Sequence, residues 1–123
     1  MKNQNLNLKS DIKRRSYIFA LEVISFIETL PRDATVNILL NQLLQAATSI
    51  GANIIEAQAS SSKKDFINFY HHALKSANET KFWLCLLRDS KKAENSKTNT
   101  LLNEVTEISN MLGSSLLTMK GKK

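Results

Sequence analysis

The stretch Ala34–Ile55 reads ATVNILLNQLLQAATSIGANII, and none of its side chains carries a charge. It is long enough to cross a bilayer, because about 20 residues suffice. Its amide and hydroxyl side chains argue against a membrane helix, because each costs several kcal/mol when it is left unpaired in hydrocarbon. These side chains belong to Asn37, Asn41, Gln42, Gln45, Thr48, Ser49 and Asn53. We therefore predict a helix of a soluble protein that has no membrane partner.

Apolar residues in this stretch recur at three- and four-residue steps, which is the pattern of one wide buried stripe on an α-helix. The stripe consists of Val36, Leu39, Leu40, Leu43, Ala47, Ile50 and Ile54. The opposite side carries small or uncharged polar residues, where a surface helix normally carries Lys and Glu. We interpret this side as a second contact surface, against another subunit. Its candidate interface residues are Ile38, Asn41, Gln45, Thr48 and Ala52.

The composition is that of one soluble globular domain. The chain has 123 residues, of which 42% are hydrophobic and 23% charged, and both fractions are ordinary. A single cysteine, Cys85, excludes an intramolecular disulfide and fits a reducing compartment. The first ten residues, MKNQNLNLKS, contain no apolar run typical of a signal peptide. We expect a cytoplasmic protein.

Helical periodicity continues on both sides of the opening stretch, with short polar connections between helices. Ser10, Asp33 and Ser62 are predicted to cap the first three helices. Residues 1–10 are predicted to form a mobile arm and residues 120–123 a basic tail. This pattern predicts an all-α fold, an antiparallel up-down-up-down four-helix bundle. The predicted helices cover residues 11–30, 34–58, 63–88 and 97–119.

The third helix ends in the apolar run FWLCLL, from Phe82 to Leu87. Such a run covers a helix on all sides, so Phe82, Trp83 or Leu86 must point away from the main core. We predict that these three residues join the subunit interface. A partial second apolar face on the first helix consists of Tyr17, Leu21 and Ile24.

Basic side chains are the main functional lead, because the chain carries 17 basic and 11 acidic residues, a net charge of +6. Helices one and three of an antiparallel bundle start at the same end, so residues 13–15 and 63–64 are expected at one pole. Oligomerisation would repeat that pole as a ring that binds phosphates by counterion release. The alternative is a solubilising surface. The candidate nucleic-acid-binding residues are Lys13, Arg14, Arg15, Lys63, Lys64, Lys75, Lys81, Arg88, Lys91 and Lys92.

A polar cluster is predicted on helices two and three, from Ser49, Asn53 and Glu56 on one flank and Ser76 and Glu79 on the other. One interpretation is a site with two carboxylates for a cation or for acid–base chemistry. The other, which we favour, is a set of hydrogen bonds that fixes helix register or subunit contacts inside an apolar bundle.

Enzymatic signatures are missing from the sequence. A carboxylate-bridged di-metal bundle needs Glu-x-x-His on two helices, yet the only histidines are the adjacent His71 and His72, and neither has Glu three residues earlier. They point about 100° apart and cannot share a metal in the ordinary way. No phosphate-binding glycine loop or nucleophile triad is present. We predict no enzymatic activity, no cofactor and no metal.

Several short segments together resemble one family, the four-helix-bundle proteins encoded within intervening sequences of bacterial 23S rRNA genes. The resemblance extends from about Asp11 to Met119, and the chain departs from the family in the long polar stretch Ser90–Thr100, where members often have a shorter turn. The matching segments are SIGANIIEA at Ser49–Ala57, Asp65-Phe66, Ala77-Asn-Glu79, Trp83-Leu84 and ISNML at Ile108–Leu112.

The resemblance implies a homopentamer with a central channel and brings no catalytic residues with it. A related branch serves as the accessory protein of diversity-generating retroelements, where a basic pentameric barrel binds nucleic acid and the reverse transcriptase. We therefore expect a non-enzymatic, homo-oligomeric bundle that binds RNA or DNA as an accessory factor, with a protein such as a reverse transcriptase as a further candidate partner. The alternative is a structural or protein-interaction module that binds no nucleic acid.

Overall fold

A computed structural model describes residues 11–121 and contains four α-helices in that range. The all-α fold class is confirmed, and the helix ends differ from the predicted ones by at most two residues. The predicted arm, residues 1–10, and the last two residues of the predicted tail lie outside the described residues. The helices are α1 Ile12–Glu28, α2 Ala34–Gln58, α3 Lys63–Asp89 and α4 Asn95–Met119.

Each helix packs on its neighbours in the chain, and α1 closes the bundle against α4. The loops span only residues 29–33, 59–62 and 90–94, so consecutive helices run antiparallel, as predicted. The α2–α3 pair has the most extensive contact and the α1–α4 pair the least. Cavities of about 380, 300 and 400 Å³ follow one another along the α1–α4 groove.

The core consists of the apolar stripes that the sequence indicates. All four helices supply side chains to the centre of the core. Burial of each large apolar side chain there stabilises the fold by about 1.5–3 kcal/mol. Leu39, assigned to the α2 stripe from the sequence, is only partly buried. The largest fully buried apolar side chains are Phe19, Leu43, Ile50, Ile54, Leu84, Leu87, Ile108 and Leu112.

The amino-terminal cap of α1 is Asp11, whose carboxylate accepts a hydrogen bond from the Lys13 amide at 3.0 Å. The predicted cap at Ser10 is therefore wrong by one residue. Asp11 has extended backbone angles, so its side chain can turn back to the first free N–H groups of the helix.

The caps of α2 and α3 are confirmed. The Asp33 carboxylate accepts from the Val36 amide at 2.8 Å, and the Ser62 hydroxyl accepts from the Asp65 amide at 3.1 Å. Each bond satisfies an N–H group that has no partner within the helix.

The carboxyl end of α3 is closed by a Schellman motif. The Lys92 amide donates to the Leu87 carbonyl at 2.9 Å, and the Lys91 amide donates to the Arg88 carbonyl at 3.0 Å. Lys91 adopts a left-handed conformation, with φ of 64°, at the position where glycine is usual because a Cβ is disfavoured there.

A glycine allows α1 and α2 to approach closely. A Cβ added at Gly51 would lie 3.2 Å from the Ser16 hydroxyl oxygen, which is tighter than ordinary van der Waals contact. Ser16 is itself buried, and its hydroxyl donates to the Lys13 carbonyl at 3.0 Å. Gly51 is therefore a packing residue within a helix that glycine would otherwise weaken.

Length and composition alone would allow α2 to cross a membrane. In the bundle a third of its most apolar window is buried, and it packs on both α1 and α3. The exposed remainder carries amides, which water solvates and hydrocarbon does not. That the chain has no membrane partner stays a prediction.

Candidate nucleic-acid interface

Three of the five residues in the predicted polar cluster form one hydrogen-bonded group, in which the bond between Ser76 and Ser49 joins α3 to α2. The Ser76 hydroxyl donates to the Ser49 hydroxyl oxygen at 3.0 Å, and the Asn53 amide donates to that oxygen at 3.0 Å and to the Ser49 carbonyl at 2.9 Å. Polar groups in an apolar bundle are satisfied only in one alignment of the helices. These bonds therefore fix the register of α2 against α3.

The two carboxylates of the predicted cluster do not join it. Glu56 and Glu79 are exposed, and within residues 11–121 neither carboxylate has a hydrogen bond or ion pair. Glu56 lies seven residues past Ser49, and Glu79 lies three residues past Ser76 on the antiparallel helix. At 1.5 Å per residue they are about 15 Å apart along the bundle. They cannot share a cation or a proton.

Potential metal ligands are dispersed over the described part of the chain, which contains no group of three or more His, Cys, Asp or Glu side chains able to hold a metal ion. His71 is partly buried and His72 exposed. The predicted lack of enzymatic activity stays a prediction.

Arg15, a predicted nucleic-acid contact, is held by Glu104 of α4. Its guanidinium donates to both carboxylate oxygens, from Nε at 3.0 Å and from Nη2 at 2.8 Å. The hydrogen bond that Arg15 donates to this carboxylate raises the pKa of Arg15 above its ordinary value. Because the pair is two-pronged and both partners are about 70% buried, Arg15 bridges α1 and α4 and has little charge left for a phosphate.

Two further predicted cations also have acidic partners. Arg88 donates to Asp89 at 2.9 Å and to Asn99 at 2.8 Å, and this hydrogen bond lowers the pKa of the Asp89 carboxyl. The Lys92 ammonium lies 3.9 Å from the Asp33 carboxylate. This ion pair is looser than the other two, and the flexible lysine side chain can lengthen it.

The other predicted cations have no acidic partner within 4.0 Å among residues 11–121. All but Arg14 and Lys81, which are partly buried, are exposed. Their charge is free to attract an anion. They are Lys13, Arg14, Lys63, Lys64, Lys75, Lys81 and Lys91.

The two basic groups expected at one pole lie in the same half of the bundle but at different heights. Ser49 of α2 is level with Ser76 of α3, because their hydroxyl groups are hydrogen-bonded. Since the two helices are antiparallel, Gly51 is level with residue 74. Ser16 of α1 lies beside Gly51 and is therefore at the same height. Lys13 is then level with residue 71, eight residues past Lys63, or about 12 Å along the axis. The offset arises because α1 starts farther into the bundle than α3. That oligomerisation repeats these groups as a ring stays a prediction.

A second basic group lies at the opposite pole, where the 29–33 and 90–94 loops meet. Lys91, Lys92 and Lys97 line one cavity of about 380 Å³, here called the lysine cavity. Lys97 is missing from the predicted set, although it could have been found, since it opens the helix that follows the Lys91-Lys92 loop. The other lining residues are Phe26, Thr29, Leu30, Pro31, Ala93 and Glu94.

The predicted interface residues of α2 form one exposed face of the bundle, here called the uncharged face. Ile38 is 63% exposed, an unusual value for a large apolar side chain. Its members contribute no ion pair within the described residues. That a second copy covers this face stays a prediction. The face consists of Ile38, Asn41, Gln45, Thr48 and Ala52.

The end of α3 divides as expected between core and surface. Phe82 is 58% exposed and Leu86 37%, while Trp83 is partly buried and packs on the core. The Phe82 and Trp83 rings meet edge to face, with centroids 4.9 Å apart, so the exposed ring is held in place. The predicted second face of α1 is also exposed, most of all at Tyr17, at 67%.

A family model and a solved structure point to the same protein family. A sequence model for a family described as 23S rRNA-intervening sequence protein matches residues 8–114. The chain is also similar to a solved structure of a protein with unknown function from the S23 ribosomal protein family of Bacteroides thetaiotaomicron VPI-5482. The two share 36% sequence identity and a TM-score of 0.80, over 85% of this chain and 97% of the other. Comparison with curated proteins gives no match.

Proposed function

The chain belongs to the 23S rRNA-intervening sequence protein family, and from this premise we propose a non-enzymatic, homo-oligomeric, cytoplasmic bundle that binds RNA or DNA as an accessory factor. The observation that carries nucleic-acid binding is the set of seven predicted cations without an acidic partner among residues 11–121. Cations that are not neutralised within the fold release counterions from a phosphate backbone, which favours binding with little sequence preference.

A salt titration tests this proposal. We expect single-stranded RNA, followed by fluorescence anisotropy, to bind with an affinity that falls steeply as salt rises. The slope changes by about 0.7 for each phosphate contact on a single strand. Replacing Arg14, Lys63 and Lys64 together by Gln should therefore reduce it by about 2 if each contacts one phosphate. The helical circular dichroism signal should be unchanged.

Arg88→Gln is the matched control, because its guanidinium is already engaged by Asp89 and Asn99. It should leave the salt slope almost unchanged. Binding that does not depend on salt, or no binding at low ionic strength, would overturn the proposal. Equal effects of the control and the triple variant would show that unpaired charge is not what binds.

Assembly is supported by the uncharged face of α2 and by the exposed apolar residues on α1 and α3. Large apolar side chains that stay exposed on three helices favour contact with another protein surface. The number five comes from the family resemblance and predicts a mass of about 69 kDa by light scattering, against 13.8 kDa for one chain. A monomer mass at micromolar concentration would contradict it.

An interface variant separates assembly from folding. Ile38→Lys with Gln45→Lys places two charges on the uncharged face and should yield a folded monomer. Asn103→Lys with Asn110→Lys is the matched control on the exposed polar side of α4, and it should leave the mass unchanged. Dissociation by both variants would point to net charge as the cause.

The second candidate function is a protein-interaction module without nucleic-acid binding. The exposed Phe82 and Leu86 favour it, because these side chains present an ordered apolar surface beside the core. A partner such as a reverse transcriptase is supported by the family resemblance alone. This function is preferred if a purified partner protein binds, Phe82→Ser abolishes that binding, and no salt condition gives binding to RNA or DNA.

A further inference from the structure

The lysine cavity is chemically distinct from the rest of the basic surface. Its three lysines come from the 90–94 loop and the first turn of α4, and all three line the same 380 Å³ space. We propose that it is a phosphate-binding site, held by Lys91, Lys92 and Lys97. This proposal rests on the proposed function in one respect, because it takes the bound phosphate to belong to a nucleic-acid strand.

Charge in the cavity favours an anion. Three lysines line it against one acidic residue, Glu94, whose carboxylate already accepts a weak hydrogen bond from the Ser96 hydroxyl at 3.4 Å. Asp33 is not a lining residue, and its carboxylate lies 3.9 Å from the Lys92 ammonium. The lining therefore carries an excess of two positive charges. Ammonium groups bind phosphate as point charges and impose no planar geometry.

Part of the cavity lining is apolar, which strengthens this attraction. Phe26, Leu30, Pro31 and Ala93 contribute it. Low-dielectric walls beside charges focus the electric field and reduce its screening by water. The amino-terminal turn of α4, which has no side-chain cap, adds the positive end of its dipole, while the carboxyl end of α1 adds the negative end of its own. The lysine charges therefore decide the sign of the field.

Lys91 links the cavity to the backbone. It occupies the left-handed position of the Schellman motif, with φ of 64°, where glycine would be more stable. The motif fixes the loop through the Lys91 and Lys92 amides, so both side chains leave the chain from an ordered turn. A glycine here should raise the melting temperature and at the same time remove one ammonium group.

Lys91→Gly should therefore raise stability and weaken phosphate binding at the same time, and these opposite effects are the basis of the test. Inorganic phosphate is titrated into the intact protein and followed by ¹H–¹⁵N NMR, and a short single-stranded oligouridine is titrated in parallel by anisotropy. Both should shift the amides of residues 91–97. Lys91→Gly and Lys97→Gln should each weaken phosphate binding about fivefold, the upper range for one solvent-accessible charge pair. Lys120→Gln, an exposed lysine at the opposite end of α4, is the matched control and should leave phosphate binding in the cavity unchanged.

The outcomes separate this site from the proposed function. Phosphate binding that Lys91→Gly weakens while melting rises supports the site, whether or not the oligonucleotide binds. If only phosphate binds, the site stands and the nucleic-acid function fails. If the oligonucleotide binds but neither cavity variant weakens it and phosphate shifts no amide of residues 91–97, the site is overturned and the function stands. Equal weakening by Lys120→Gln would also overturn it.

Discussion

The close approach of α1 to α2 predicts an unusual response to alanine at Gly51. Replacing a glycine inside an exposed helix by alanine normally stabilises the fold by about 0.8–1 kcal/mol. At Gly51 the new Cβ would lie 3.2 Å from the Ser16 hydroxyl oxygen, so the buried Ser16 side chain or the helices must move by a few tenths of an ångström. Overpacking of this kind costs about 1–3 kcal/mol. We therefore expect Gly51→Ala to change the free energy of unfolding by between about 0 and −2 kcal/mol.

Gly113 supplies the matched control, because it lies within α4 and a Cβ there meets no atom within 4 Å. Gly113→Ala should stabilise the protein by about 0.8–1 kcal/mol. The two alanine variants therefore differ only in what the new methyl group meets. Urea denaturation followed by circular dichroism at 222 nm, the usual helix wavelength, measures both at equal protein concentration.

A double-mutant cycle isolates the contact itself. In a Ser16→Ala background the hydroxyl is gone, and the nearest remaining atoms, at 3.6 Å or more, are at ordinary contact distance. Gly51→Ala should then stabilise by nearly as much as Gly113→Ala does. The coupling energy should be about 1–3 kcal/mol. A Gly51→Ala variant as stable as Gly113→Ala in the presence of Ser16 would refute the close approach.

Other predictions concern stability. Burial raises the pKa of Tyr70 above 10.0, so its contribution is fully present below pH 10 and is lost as pH rises through that raised pKa. Tyr70→Phe should therefore lose less stability than the wild type in urea denaturation at alkaline pH. Ser76→Ala removes the hydrogen bond to Ser49 and should lower the free energy of unfolding by about 1 kcal/mol in the same assay. Lys91→Gly should raise it by about 1 kcal/mol, because glycine accepts the left-handed conformation, and thermal melting will show this.

Local signals in the sequence were enough to define the helices. Asp33 and Ser62 each precede an apolar periodic stretch, and a cap depends only on residues within one turn. The register of α2 on α3 was also accessible, because Ser49 and Ser76 are small polar residues on stripes that must face each other. The cap of α1 was placed one residue early because Ser10 and Asp11 are both good caps.

Contacts between distant parts of the chain were not accessible from the sequence. The Arg15–Glu104 pair joins residues 89 positions apart, and its formation depends on how α4 is rotated about its own axis. The lysine cavity depends on how two loops meet. The height of Lys13 above Lys63 depends on where α1 begins relative to α3. Charge pattern alone counts every cation equally, whereas packing decides which cations remain unpaired.

The limited contact between α1 and α4 has a consequence for local unfolding. α1 has 17 residues, fewer than any other helix in the described chain, and it meets α4 along a groove interrupted by cavities. Elements with few buried contacts open at lower free energy than the core around them. The amides of α1 should therefore exchange with deuterium sooner than those of the α2–α3 hairpin. Transient release of α1 would expose the buried apolar side chains Phe19 and Val23 to solvent. Until the helix packs again, this surface could bind other exposed apolar groups and promote aggregation.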